Sequence, residues 1–125
     1  SVNWHGAFST KDVPQLLQKT SVIVDPVDAG ITNRAKSSSR VNLAVAAGMP
    51  VVTSNVGIRS QLIPPALHEH LFAKIEDTSE YATKIISLLQ TSFKEEDRAE
   101  LQIYGQKIYW KALAEQYQTI LQSRK

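Results

Sequence analysis

Two short apolar segments that do not alternate with polar residues constrain the fold of this chain most strongly. They are SVIVDP at residues 21–26 and PVVT at residues 50–53. Consecutive β-branched residues of this kind are typical of a strand that is covered on both faces, as in a parallel sheet. Between them, Val41, Ala44 and Val45 have the spacing of a helix, which is the crossover that parallel strands need. We therefore predict an α/β fold, a Rossmann-like open parallel sheet with helices on both faces.

Weaker patterns add elements on either side of this unit. VNWHGAF at residues 2–8 predicts a first strand, and LFAKI at residues 71–75 predicts a short edge strand. Helices are predicted to start at Asp12 and at Asp77, where an acidic cap is followed three residues later by Gln or Glu. A closing helix is predicted from an apolar stripe that we expect to lie in the core: Trp110, Leu113, Ala114, Tyr117, Ile120 and Leu121. With no repeat or linker, residues 1–125 are predicted to form a single domain.

Composition excludes several classes of protein. The chain has no cysteine, so disulfides and thiolate metal sites are excluded. A net charge of +2 is too small to indicate a nucleic-acid partner, and no apolar run approaches a membrane span. We expect a cytoplasmic chain, with attachment to the inner face of a membrane through a longer parent protein left open. Because there is no initiating Met, we expect a piece of such a longer protein.

A cluster of serines flanked by two cations is the first candidate site. Serine hydroxyls cap the free N–H groups at a helix start, and those groups attract phosphate. The cluster follows a predicted strand, so it would lie at the carboxyl edge of the sheet, where open parallel sheets bind ligands. An ordinary capped helix gives the same pattern. The residues predicted to hold a phosphate group are Lys36, Ser37, Ser38, Ser39 and Arg40.

Further candidates lie in loops that leave the same edge. After the strand at residues 50–53 comes Asn55-Val56-Gly57, which either lines a ligand pocket or forms a simple turn. His5 and Asp28 follow the two earlier strands and are candidates for contacts with a sugar or ribose. The segment HEH at residues 68–70 lacks the i,i+4 spacing of zinc motifs, so we predict no metal site.

The segment LAVAAGMPVVTSNVGIRSQLI at residues 43–63 contains an Ala-x-Gly-x-Pro-Val-Val signature, and YWKALAEQYQTIL has the form of a closing helix. In these motifs and in their order, the chain resembles the C-terminal, donor-binding half of GT-B-fold glycosyltransferases. The family is the large retaining one that includes sucrose synthases and many bacterial cell-surface glycosyltransferases. The resemblance implies two Rossmann-like halves, of which this chain would be the half that holds the donor.

The chain departs from the family at two motifs. Ala35 and Leu43 stand where the family usually has paired glutamates, and Lys36-Ser37-Ser38 replaces its Gly-Phe-Gly loop. The carboxylate roles therefore cannot be transferred, so no catalytic residue is assigned and the stereochemical outcome stays open. The phosphate role of the helix start can be transferred, because backbone N–H groups do not depend on side chains.

The leading hypothesis is a donor-side domain that binds a nucleoside-diphosphate sugar, without a metal cofactor, for transfer to an unknown acceptor. Its expected partners are the nucleotide sugar and an N-terminal acceptor-binding domain that this chain lacks, so we do not expect activity from this chain alone. The alternative is a non-catalytic Rossmann-like interaction module that has lost the donor site. A receiver-like regulatory domain ranks last, because the acidic pair that binds magnesium is missing. Oligomeric state is not predicted.

Overall fold

The computed structural model describes Trp4 and residues 6–91 and 93–124 of the 125-residue chain. Its two strands, β1 (Ile23–Asp25) and β2 (Val51–Thr53), run parallel, and each lies inside a segment predicted to be a strand. An isolated parallel bridge also joins Thr53 to Phe72. The described part of the chain is therefore mostly helical around a small parallel sheet, which is compatible with a fragment of a Rossmann-like α/β fold.

Helices make up most of the described residues. Two are short 3₁₀ turns, Thr10–Asp12 and Pro65–Leu67. The α-helices are α1 (Val13–Gln18), α2 (Ile31–Ala35), α3 (Ser39–Ala47), α4 (Arg59–Leu62), α5 (His68–Leu71), α6 (Thr78–Gln90), α7 (Glu95–Gln106) and α8 (Trp110–Ser123).

The crossover helix α3 begins and ends where the sequence predicts. Ser38 is its N-cap, and the Ser38 hydroxyl oxygen accepts a hydrogen bond from the Val41 N–H at 3.2 Å. Gly48 ends it in the left-handed conformation, with φ of +65°. Because Val41, Ala44 and Val45 are fully buried, the helix is fixed against the sheet, and its start is held beside the end of β1.

The core joins α3 and β2 to side chains from α4, α5 and α7. Its fully buried members include Val45, Val51, Ile63 and Leu71, together with Leu101 of α7. The polar sequence of residues 92–100 predicts only a bridge between elements. In the structure, α7 instead packs directly on α3 and closes the core.

The sheet is smaller than predicted. In the predicted strand at residues 2–8, Trp4 and residues 6–8 have no strand conformation, and the remaining residues lie outside the described part. At residues 71–75 the strand is reduced to the bridge at Phe72, because α5 continues through Leu71. A full open sheet with helices on both faces is therefore not formed in the described residues.

Two helix predictions also need correction. α1 begins directly after Asp12 as predicted, but the Asp12 side chain makes no capping hydrogen bond to α1; its carboxylate accepts from the Ser9 N–H and hydroxyl, at 2.9 and 3.0 Å. In α8, Leu113 is half-buried while Ala114 and Tyr117 are exposed, as are Ile120 and Leu121. Most of the described part of this stripe therefore lacks the core position expected of it. None of the described helices has the length and apolarity to cross a membrane.

Candidate functional site

A polar cleft of about 320 Å³ opens at the carboxyl end of β1, beside the start of α3. All five residues of the predicted phosphate site line it, so the structure brings them together; that they bind phosphate stays a prediction. The lining residues are Asp25, Pro26, Val27, Asn33, Lys36, Ser37, Ser38, Ser39, Arg40 and Arg59.

Asp25 forms the buried centre of this cleft. It is 4 % exposed and ends β1, directly opposite Thr53 of β2. The Thr53 hydroxyl donates to Asp25 Oδ2 at 3.0 Å, and Arg59 Nε donates to the same oxygen at 3.0 Å. Arg40 Nη1 lies 3.4 Å from Asp25 Oδ1. The carboxylate is therefore partnered from three elements, and this burial is tolerated because its charge is paired.

Arg59 is the cation of this site that the sequence pattern does not single out. Its side chain is 4 % exposed and is held at a second point, where Nη1 donates to the Val56 carbonyl at 3.1 Å. The available signal was an arginine shortly after one strand end and an aspartate at the end of a neighbouring strand. Opposite charges at the same edge of a parallel sheet favour such a pair.

The cleft is electropositive and combines side-chain charges with backbone donors. Lys36, Arg40 and Arg59 are its cationic lining residues, and Asp25 is its one carboxylate. The side chain of Arg40 is 64 % exposed at the rim, whereas Arg59 lies on the floor. At the start of α3 the Ser39 and Arg40 N–H groups have no partner within the helix. Such an arrangement is suited to an anion with several oxygens.

The predicted loop Asn55-Val56-Gly57 does not line the polar cleft. Asn55 lines a separate cleft of about 400 Å³ beside Phe72. Val56 is buried and reaches the site only through its carbonyl group. Gly57 has φ of +63°, and an added Cβ would lie 2.8 Å from the Arg34 carbonyl oxygen. In this structure the glycine allows the loop to pack against the end of α2.

Asp28 lies in the loop after β1, outside the polar cleft. Its carboxylate accepts hydrogen bonds from the Gly30 N–H at 2.7 Å and from the Asn33 amide at 2.9 Å. These two bonds, aided by the charge of Lys36, hold the pKa of Asp28 below its ordinary value. Asp28 lines a neighbouring, mainly apolar cleft of about 490 Å³ that shares Pro26 and Val27 with the polar one. His5 lies outside the described residues.

The described residues contain no group of three or more His, Cys, Asp or Glu that could hold a metal ion. His68, from the HEH segment, is half-buried instead of lying at the surface. Its Nε2 is 2.8 Å from the Ile63 carbonyl oxygen, and its ring packs against Phe72 at 4.7 Å between ring centroids. The position of His68 is therefore explained by packing.

Comparison with known proteins identifies the family. The protein-family model described as glycosyl transferases group 1 matches residues 1–91. The match covers more than half of the chain, so the chain belongs to the group 1 glycosyltransferases. No curated protein and no solved structure in the comparisons matches it. Family membership indicates glycosyl transfer, a reaction for which the donor is in general a nucleotide sugar.

Proposed function

We propose that this chain is the donor-side domain of a glycosyltransferase and binds a nucleoside-diphosphate sugar with the diphosphate in the polar cleft. The observation that carries the proposal is the convergence of Lys36, Arg40 and Arg59 with the start of α3 at the carboxyl end of β1. Membership of the group 1 family supports the reaction class. The resemblance in the sequence supports a C-terminal half of a GT-B fold, with residues 1–125 as one domain.

The proposed role of the cleft is electrostatic. When a glycosyl group leaves a nucleotide sugar, negative charge develops on the departing diphosphate. Donors and cations that are already in place stabilise such charge without reorganisation. Here those groups are the rim cations, the buried Arg59 and the backbone N–H groups of α3. No metal is needed in this proposal, because side chains supply the positive charge.

No residue is proposed as a catalytic acid, base or nucleophile. Ala35 and Leu43 carry no carboxylate where the family has paired glutamates. Asp25, the carboxylate of the cleft, is already paired with Arg59 and bonded to Thr53. We therefore propose that the acceptor-binding half of the longer protein is needed for turnover.

The test is a calorimetric titration of the chain with UDP, GDP and ADP, at low salt and again at higher salt. We expect one of the three nucleotides to bind, and added salt to weaken that binding by screening the exposed rim charges. The combined variant Lys36→Ala with Arg40→Ala should lower the affinity at least tenfold, since charge-assisted hydrogen bonds are lost.

The matched control is Lys19→Ala with Arg124→Ala, which removes the same charges from exposed positions outside the cleft. It should leave the affinity within about twofold, because exposed charges far from a site are largely screened. Equal losses in both double variants would show that net charge, and not the cleft, sets the affinity. Unchanged binding in the cleft variant would refute the phosphate assignment.

The second candidate function is a non-catalytic interaction module. It is favoured by the exposed apolar side chains of α8, where Tyr117 is 67 % and Leu121 is 65 % exposed. A contiguous exposed apolar surface is characteristic of a contact with another protein. Two results together would favour the interaction module. None of the three nucleotides would bind, and the chain would stably capture a protein partner in a way that depends on Tyr117 and Leu121.

A further inference from the structure

We propose that Arg59 is a ligand-binding residue of the polar cleft, donating through Nη2 to an oxygen of the diphosphate, and that Asp25 is its positioning residue. This inference rests on the proposed function and goes beyond it. Neither the sequence pattern nor the family match assigns a role to Arg59. Its place in the cleft is evident only from the structure, in which Arg59 of α4 pairs with Asp25 at the end of β1.

The guanidinium of Arg59 is fixed at two of its nitrogens. Nε donates to Asp25 Oδ2 at 3.0 Å, and Nη1 donates to the Val56 carbonyl oxygen at 3.1 Å. Both members of the ion pair are almost fully buried, with side chains 4 % and 5 % exposed. The Thr53 hydroxyl donates to the same carboxylate oxygen and limits its movement. The orientation of the guanidinium plane is therefore set before any ligand arrives.

The same guanidinium has hydrogen-bonding capacity left over. A guanidinium carries five N–H donors, and the two bonds above use one on Nε and one on Nη1. Within the part of the chain that the structure describes, Nη2 donates to no atom, while the side chain lines the cleft. In the described residues Nη2 is not among the buried side-chain atoms left without a partner, so it reaches solvent and is open to an oxygen of a ligand or to water.

The cations of the cleft differ in how they can act. Arg40 is mostly exposed and its contact with Asp25 is long, so it can leave that carboxylate to meet an incoming anion. Charges at the rim attract over a distance and are weakened by salt. Arg59 lies on the floor and cannot move without breaking two hydrogen bonds. Rim cations would thus attract the diphosphate, and Arg59 would fix its position by a directed bond.

The buried ion pair of Asp25 and Arg59 also suits a role in binding. Such a pair is often no better for stability than apolar residues of similar volume, because desolvation opposes the attraction. At this position Asp25 already has Thr53 and Arg40 as further partners. In this pair, Asp25 holds the planar guanidinium of Arg59 at the floor of the cleft, and a guanidinium is well suited to recognise phosphate oxygens.

The test compares the unaltered chain with Arg59→Lys, titrated with inorganic pyrophosphate and with UDP, GDP and ADP. Lysine keeps the charge, but a single ammonium cannot satisfy Asp25, Val56 and a ligand with the same geometry. We expect the affinity to fall about tenfold, the loss typical of one charge-assisted hydrogen bond. The dependence of affinity on salt should stay unchanged, whereas Lys36→Ala should reduce it.

Arg98→Lys is the matched control. Arg98 is half-buried and donates to a backbone carbonyl, that of Gly48 at 3.2 Å, but it lies outside the cleft. This variant should bind every probe with unchanged affinity. Thermal unfolding of each variant separates loss of binding from loss of the fold.

A second measurement uses the unaltered chain, in case Arg59→Lys does not fold. Nitrogen-15 NMR of arginine side chains should show the Arg59 Nη signals shifting on addition of pyrophosphate, while those of Arg98 stay in place. Binding with silent Arg59 signals, or wild-type affinity in a folded Arg59→Lys variant, would overturn this inference and leave the proposed function standing. Absence of binding to every probe by the unaltered chain would overturn both.

Discussion

Gly57 is required here by a close approach between two backbones and not merely by a turn. Its φ of +63° lies in the left-handed region, and its Cα faces the last residues of α2. An added Cβ would lie 2.8 Å from the Arg34 carbonyl oxygen and 2.9 Å from that of Asn33. Arg59, the first residue of α4, follows Gly57 by two positions. This contact therefore also helps to set where α4 begins and where the Arg59 guanidinium lies.

We therefore expect Gly57→Ala to destabilise the chain by about 2 kcal/mol or more, since left-handed backbone and a backbone clash act together. Chemical denaturation measures this loss. Gly6→Ala is the matched control, because Gly6 has φ of +70° but nothing within 4 Å of an added Cβ. Similar losses in the two variants would show that the contact with α2 contributes nothing.

Among the elements, α7 contributes more than its polar sequence suggests. Leu101 is fully buried in the main core, and the backbone of Gly105 lies so close to α3 that an added Cβ would be 2.8 Å from Val45 Cγ1. The Arg98 guanidinium further ties α7 to the end of α3 through the Gly48 carbonyl. The family match ends at residue 91, yet this later helix completes the core.

Replacement of Leu101 by alanine should therefore lower the free energy of unfolding by about 3 kcal/mol, through lost burial and the cavity that remains. Ile103→Ala in the same helix is the control, because Ile103 is 60 % exposed. Its effect should stay within about 0.5 kcal/mol. The two denaturant midpoints, measured side by side, test the assignment; equal shifts would contradict it.

The elements that could be predicted are those defined by local chemistry. β1 and β2 follow from contiguous apolar residues, α3 follows from the helical spacing of its apolar residues, and its start and end follow from Ser38 and Gly48. The burial of α7 was not predicted, because charged residues dominate its first two turns and Gly105 adds no side chain to an apolar stripe. In the site, the serine cluster was recognisable because it is local, whereas the pair of Arg59 with Asp25 joins residues 34 positions apart.

At the scale of the whole molecule, α8 stands apart from the core that the other helices share. The sequence predicts that the apolar stripe of α8 lies in the core. In the structure most of its described residues are exposed: Ala114, Tyr117, Ile120 and Leu121. Apolar spacing predicted the helix correctly but could not predict what it packs against. The folded unit of this chain therefore depends on residues up to α7.

Removal of residues 114–125 should change the melting temperature by less than about 5 °C, since this segment contributes little burial. A longer truncation, which removes residues 95–125 and with them α7, should abolish cooperative unfolding, because Leu101 is then lost from the core. Thermal scans followed by circular dichroism compare the two. A large loss from the shorter truncation would mean that α8 supports the core.

The Thr53 hydroxyl also affects the register in which β1 and β2 pair. Each strand has three residues, and Val51 and Val52 are both apolar, so the apolar pattern alone would not resist a shift of β2 by one position. Such a slip turns each side chain to the opposite face. The Asp25 carboxylate would then lose one of its hydrogen bonds, that from the Thr53 hydroxyl, and a hydrogen bond to a charged group contributes about 1.5–3 kcal/mol. The hydrogen bond at the floor of the cleft thus also favours the observed register of β2 on β1 over the shifted one.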